Sequence, residues 1–525
     1  MTQFLNFKNL YFYLFLVCFI IIGSYLSLNT GITHDEFHDY YVSEGNKNIF
    51  LNKLFNKNYD TSYIVGGNRF YGSGFHYLSA ILELVVSKFS YLDKYNNEIK
   101  ILLSKHISVF FLFVISGLLL KQIIRLISNN AHVSRLSAIL YLLYPYLLGH
   151  SFFNVKDIPF LTVWLICTYF IIRISKNYFE KKKIRIKDIV FLSLFTAYLM
   201  SIRISGVLIF VQYLIFTLTI TSFMKVNFLS FIKNFYKEFI ISIFLILALF
   251  ILLQPSYWQN PLFLIDGIKF MSQHLQTVCT LTLGECMKAQ NLPSSYLPLW
   301  FFFKLPLFII FGLSLFFFIE KKINQQKLNL IILGSLSFTV ISIILLLILF
   351  NVNLYDEIRQ VMFLLPLIFI ISLSFIQIFS KKIFYMFSIL FIFFFAFQNV
   401  KIYPYNYIWI NNLSHITKIQ GVFELDYWGV STKNIAKFFN NKKINKNNCI
   451  ITNRNNGVEP FVVQKNCFLD FKKLHKNNAR PFYVALMERG LKKGTPNNCK
   501  IIHEETRSIN FSSEKISLAK VFQCD

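Results

Sequence analysis

The chain has 525 residues, 55% of them hydrophobic and only 15% charged, against roughly a quarter charged in soluble domains. Apolar runs of roughly 17 to 25 residues recur, enough to cross a bilayer core, so the composition excludes a string of soluble domains. The formal net charge is +27, but Lys and Arg fall mainly in short loops between apolar runs and in a polar tail; membrane topology leaves that distribution, and a nucleic-acid partner is excluded.

The run Leu10–Leu28 follows Lys8 and has no small-residue cleavage site, so it reads as an uncleaved first span with a cytoplasmic N-terminus. A polar first outer loop covers residues 30–100, and its short apolar stretch Phe75–Phe89 is placed along the membrane surface. Span two runs from about Ile101 to Leu120, followed by Lys121, Arg125 and Arg135. Span three, about Leu136 to Leu148, ends at GHSFFNVKD, and span four ends in the most basic loop, Lys176 to Lys187. Spans five and six meet near Arg203; Lys225, Lys233 and Lys237 follow, and span seven ends at Gln254. A long outer loop, residues 255–298, comes next. The remaining spans end at Glu320-Lys321-Lys322, at Asn351, at Lys381-Lys382 and near Asn399, for a total of about eleven.

If each span flips the side, every basic cluster between spans falls on one face, the cytoplasm. HDEFHDYY, GHSFFNVKDIP, QPSYWQNP and YDEIRQ all fall on the other. Cys18 and Cys167 lie in spans, whereas Cys279, Cys286, Cys449, Cys467, Cys499 and Cys524 fall on the outer side, where disulfides persist. Cys279 is expected to pair with Cys286, and the four tail cysteines to form two bridges with three connectivities open. Composition shifts near Lys401, dividing a transmembrane domain, 1–400, from a C-terminal periplasmic domain, 401–525. Ser431 suits the N-cap of a helix through Phe439. Strand-like runs follow at Cys449–Thr452, Cys467–Phe471, Phe482–Met487, Lys500–His503 and Leu518–Gln523, predicting a small α/β domain.

Asp35 and Glu36 stand just beyond span one, at the membrane surface. A carboxylate there is ionised at neutral pH and can take the proton of an attacking hydroxyl. The plain alternative is a solvated acidic loop. Lys156, Arg203 and Arg359 fall on the same face. Arg and Lys at such a surface grip phosphate, although each taken singly suits snorkelling equally well. His150, Asn154, Asp157, Tyr355, Asp356 and Glu357 share these loops. His34, His38 and His150 with Asp35 and Asp39 lack close ligand spacing; no metal or other cofactor is indicated, though a divalent ion is compatible with the residue types. Tyr257 and Trp258 suit the aromatic belt or the lining of a sugar site.

In their order, these motifs resemble the polyprenyl-phosphate-dependent glycosyltransferases of the GT-C superfold, such as protein O-mannosyltransferases and lipid A aminoarabinose transferases. The matching pieces are the Asp35-Glu36 pair, the surface helix, GHSFFNVKDIP, SIRISG, QPSYWQNP, YDEIRQVMFLLP and FELDYWGVS at Phe423–Ser431, over roughly residues 1–440. The resemblance implies that the acidic pair Asp35-Glu36 supplies the catalytic carboxylate, which is Asp35, and that Lys156, Arg203 and Arg359 hold the donor phosphate; Asp35 is expected to meet one of these cations, and Glu36 to point elsewhere and support the loop. His150, Asp157, Trp258, Tyr355 and Asp356 are the candidates for binding substrate. Gln360 follows Arg359 where many relatives carry His, and the tail after Gly429 carries none of the motifs of the resemblance beyond Ser431. The expected activity is an inverting transfer of a sugar from a polyprenyl-phosphate lipid to an acceptor hydroxyl, at the outer face of a bacterial inner membrane. The acceptor, a glycan, lipid or protein, stays open. The alternatives are a lipid-linked saccharide flippase and a non-enzymatic assembly protein. A transporter places charges near the bilayer midplane, whereas these span centres are nearly free of charge.

Overall fold

The computed structural model describes residues 7–318, 327–416, 418–442, 444, 448–464, 467–470, 482–492, 494 and 496–524. The expected end of span eight, Glu320-Lys321-Lys322, lies outside the described residues. The first helix, α1 (Phe7–Asn29), leads into α2 (His34–Phe55). A capping box starts α2, with the Thr33 N–H donating to the Glu36 carboxylate at 2.7 Å; this satisfies a helix N–H group that would otherwise be orphaned. The sequence alone places α2 inside a polar loop, because its buried residues Phe37, Val42 and Gly45 are too few to make an apolar stripe.

Helix α3 (Gly74–Val86) turns Ile81, Leu84 and Val85 outward, as expected of a helix lying on a membrane surface. Lys105 of α4 (Asn97–Ser128) ties it down through Glu83 at 2.8 Å. The bundle continues through α5 (Ala131–Leu143), α6 (Pro145–Ser151), α7 (Asp157–Phe179), α8 (Ile186–Ile202), α9 (Ile209–Phe223), α10 (Phe228–Asn234) and α11 (Tyr236–Leu253). The long loop folds as α12 (Phe263–Ser272) and a hairpin of β1 (Cys279–Thr282) and β2 (Glu285–Lys288). Then come α13 (Tyr296–Lys304), α14 (Leu307–Ser314), α15 (Lys327–Leu349), α16 (Leu365–Phe379) and α17 (Lys381–Ile402).

Among the described residues, eight helical stretches are long and apolar enough to cross a membrane. A ninth arises if Tyr296–Lys304 and Leu307–Phe318, bent by 116°, form one span. The 13-residue α5 and 17-residue α8 lie at the places of the third and fifth of the expected eleven spans and are shorter than those eight stretches. Pro306 breaks the bent span, and the carbonyls freed there find partners. The Tyr144 hydroxyl donates to Lys304 at 2.6 Å, and the Asn411 amide to Phe302 at 2.6 Å and Leu305 at 2.9 Å. Non-helical backbone survives at this depth only where protein supplies such donors.

The tail begins its regular structure with α18 (Thr432–Lys442), directly after Ser431. Five strands follow: β3 (Cys449–Thr452), β4 (Cys467–Asp470), β5 (Phe482–Met487), β6 (Cys499–Arg507) and β7 (Ile516–Cys524). Their order is β4-β3-β5-β7-β6, with β3 parallel to both neighbours and β7 antiparallel to both of its own. Phe471, expected at the end of a strand, lies outside the described residues. Disulfides join Cys279 to Cys286, Cys449 to Cys467 and Cys499 to Cys524, with Cα separations of 5.4, 4.4 and 4.3 Å. Both tail bridges link direct strand partners, which selects one of the three open connectivities. Ile435, Ala436 and Phe439 of α18 share one buried cluster with Ile450 and Ala485 of the sheet and with Leu28, Ile32, Phe37 and Leu103. The tail therefore packs on the ends of α1 and α4.

Candidate functional site

The site forms where the first turn of α2, the 154–157 turn, the 203 turn and the 355–359 loop converge. Asp35, its side chain 37% exposed, receives the Arg359 guanidinium at 3.1 Å. Burial opposes its ionisation, but Arg359 and then Lys156 outweigh burial and hold the carboxyl well below the usual carboxylate range. Lys156 itself lies 2.5 Å from Asp39 and stacks its ammonium 4.6 Å from the Tyr71 ring centre. Arg203 pairs with Asp157, which the Asn154 amide also reaches at 2.9 Å. Arg359 is 3.3 Å from Asp356 and 4.0 Å from Asp157. Its guanidinium lies over Trp428 at 4.6 Å and Tyr355 at 5.3 Å. All three cations expected to meet phosphate therefore converge near Asp35, each already matched to a carboxylate. Lys156 and Arg203 remain 21% and 24% exposed, against 7% for Arg359, so the first two are reachable and the third is a brace.

Several expected site residues lie elsewhere. Glu36 does not accompany Asp35; it is buried in the capping box, and its other oxygen meets His106 at 2.7 Å. Successive helical residues point about 100° apart, so neighbours in sequence leave on different faces. His150 is wholly buried, held by Asn154 at 3.0 Å and ringed by Tyr146, Tyr407 and Trp428, so it supports the site from behind. Gly149 beside it has no room for a side chain, since a Cβ there would sit 2.0 Å from the Tyr407 nitrogen. Trp258 packs edge-on against Phe50 and donates to the Ile251 carbonyl at 2.7 Å, away from Asp35. Its segment instead clasps the first loop. Gln254 donates to the Tyr71 carbonyl at 2.8 Å, and the Ser256 N–H donates to the Asn46 side-chain oxygen at 3.0 Å. Asp157 and Asp356 are buried and hold cations, while Tyr355 keeps partial exposure beside Arg359.

The tail supplies site residues beyond those expected from the sequence. Arg489 pairs with Asp356 and reaches Glu424 at 3.0 Å. Arg454 donates to the Tyr427 carbonyl at 3.0 Å, near enough to Asp35 and His34 for its charge to act on both. FELDYWGVS carries the link inward: Asp426 accepts from Ser431 and from the Val430 N–H at 2.9 Å, which sets Trp428 against Arg359. The usable signal was the pair of acids and the tryptophan in that one segment.

The fold is GT-C-like. No family model matches the sequence, and no curated protein matches it closely. Solved structures do. ArnT from Cupriavidus metallidurans in the apo state matches over 98% of both chains, with a TM-score of 0.50 and 10% identity. The same protein bound to undecaprenyl phosphate matches over 97% of both chains, with a TM-score of 0.49 and 10% identity. At that identity the likeness speaks for fold.

Proposed function

We propose that the chain is an inverting membrane glycosyltransferase that moves a sugar from a polyprenyl-phosphate lipid to an acceptor hydroxyl at the outer face of a bacterial inner membrane. The observation that carries the reading is the pairing of a part-exposed, ionised Asp35 with Arg359 and Lys156, brought together from loops far apart in sequence.

In this reading Lys156 and Arg203 meet the donor phosphate, and Arg359 aims Asp35. The acceptor hydroxyl attacks the anomeric carbon from the side opposite the phosphate, and its proton passes to Asp35 as the new C–O bond forms. The bond from carbon to phosphate oxygen breaks, and the lipid phosphate leaves with the electron pair. Lys156 and Arg203 stabilise the charge that collects on it. A phosphate held by cations leaves unprotonated, so no general acid enters the scheme. Asp35 is a weak base while its cations have no other anion to serve. Phosphate arriving on Lys156 adds negative charge nearby and raises the affinity of Asp35 for the proton when it is needed.

The test is Asp35→Asn in purified protein given a polyprenyl-phosphate sugar. Turnover should fall by about 10² or more, in the range usual for loss of a general base, with donor binding kept. Near-normal turnover of the folded variant would overturn the assignment.

A further inference from the structure

A cavity of about 1250 Å³ opens at the end of the bundle away from Asp35. Helix α7 starts at Asp157 beside the site, and α8 returns from Ile186 to Arg203, so the 180–185 turn between them marks the far end. That turn lines the cavity with Lys181, Lys182, Lys183 and Arg185, joined by Lys187 from α8. Ile189, Val226 and Phe235 give the same cavity an apolar floor.

The cations are largely unneutralised. Lys182 is taken by Glu180 at 2.6 Å, and the nearby Asp188 is taken by Arg173 at 3.3 Å. Among the described residues, no carboxylate lies within ion-pair distance of Lys181, Lys183, Arg185 or Lys187. Glu238 is the acid of the lining. Lysines that merely mark topology spread into solvent; here they surround a concavity whose floor is apolar. An amphipathic anion is the complement to such a surface, and basic pockets between helices on the positive face take anionic lipid headgroups.

We propose that this cavity binds an anionic phospholipid of the leaflet opposite the candidate active site. The phosphate lies against Lys183, Arg185 and Lys187, and an acyl chain runs over Ile189, Val226 and Phe235. The occupant would fasten the α7–α8 turn to the segment between α9 and α11. None of this depends on the reaction proposed above.

The experiment follows thermal unfolding of the delipidated full-length protein in mild detergent during titration with phosphatidylglycerol, phosphatidylcholine of the same chains, or inorganic phosphate. Phosphatidylglycerol should raise the midpoint saturably, and the other two should not. K183Q/R185Q should weaken that response on the order of tenfold or more, while K381Q/K382Q, which removes the same charge from another loop of that face, should leave it intact. An equal response to phosphatidylcholine overturns the proposal, as does saturation by inorganic phosphate or an equal loss in both variants. If K183Q/R185Q does not fold, the three titrations of the unaltered protein still decide.

Discussion

Asp35 and Glu36 are adjacent in the chain and do opposite work in the fold. Asp35 faces cations and keeps some exposure, while Glu36 closes the start of α2 and meets a buried histidine. Their conservative variants should therefore separate. Glu36→Gln should lower stability by about 1–2 kcal/mol, since a charge-assisted buried bond weakens, and leave turnover within a few-fold. Asp35→Asn should leave the unfolding midpoint nearly unchanged and lose turnover. Thermal unfolding and single-substrate kinetics on the two proteins test the contrast, and the reverse pattern would exchange their roles. Burial raises the Asp35 pKa, and Arg359 and Lys156 together lower it by more. The carboxylate therefore stays ionised as pH falls, and activity should show no acid limb from this group between pH 8 and about 5. Arg359→Gln removes the larger of the two cationic effects. The Asp35 pKa should then rise and an acid limb should enter the profile, with activity lost as pH falls. An unshifted profile in that variant would detach Arg359 from Asp35.

One lysine of α18 adds a polar tie to the apolar contacts between the tail and the first span. The Lys433 ammonium donates to the carbonyls of Leu28 at 3.2 Å and Thr30 at 3.4 Å, at the end of α1 where helix carbonyls lack partners. Burial pulls its pKa down from 10.5 to about 7. The unfolded chain therefore binds the extra proton between about pH 7 and 10.5, and this group makes stability rise with pH across that window. Below pH 7 both states are protonated and the dependence ends. Lys433→Met should flatten the rise in unfolding midpoint between pH 7 and 9 relative to the unaltered protein; an identical slope in both would remove Lys433 from the account. α2 shows the opposite relation between element and pattern. It is polar along most of its 22 residues, and the capping box together with the tail, α4 and the 254–258 segment packed around it make it a helix that aims a carboxylate.

The whole molecule is a multi-pass bundle capped by a disulfide-stapled sheet. All three bridges, the capping sheet and Asp35 lie at one end, and the Lys176–Lys187 loop lies at the other. A reporter active only in the periplasm should be active when fused behind β7 and silent in the 180–185 turn; the reverse would invert the topology. The bundle was legible in the linear chain because the bilayer imposes a length and a polarity on each span that no tertiary partner has to supply. Strands in the tail were legible for a similar reason: Cys449–Thr452 and Phe482–Met487 are apolar runs bounded by polar turns, and they recur unchanged as β3 and β5. Asp35, Lys156, Arg203 and Arg359 were legible as residue types on one face. The meeting of Asp35 with one of these cations was legible too, whereas their other partners were not. Which carboxylate each cation meets, why Glu36 and His150 turn inward, and how Arg489 and Trp428 reach the 355–359 loop from the tail all depend on contacts between segments hundreds of residues apart. Hydrophobic periodicity reports which side of an element is buried and carries no record of what is packed against it, so those pairings were decided only when the tail docked on the bundle.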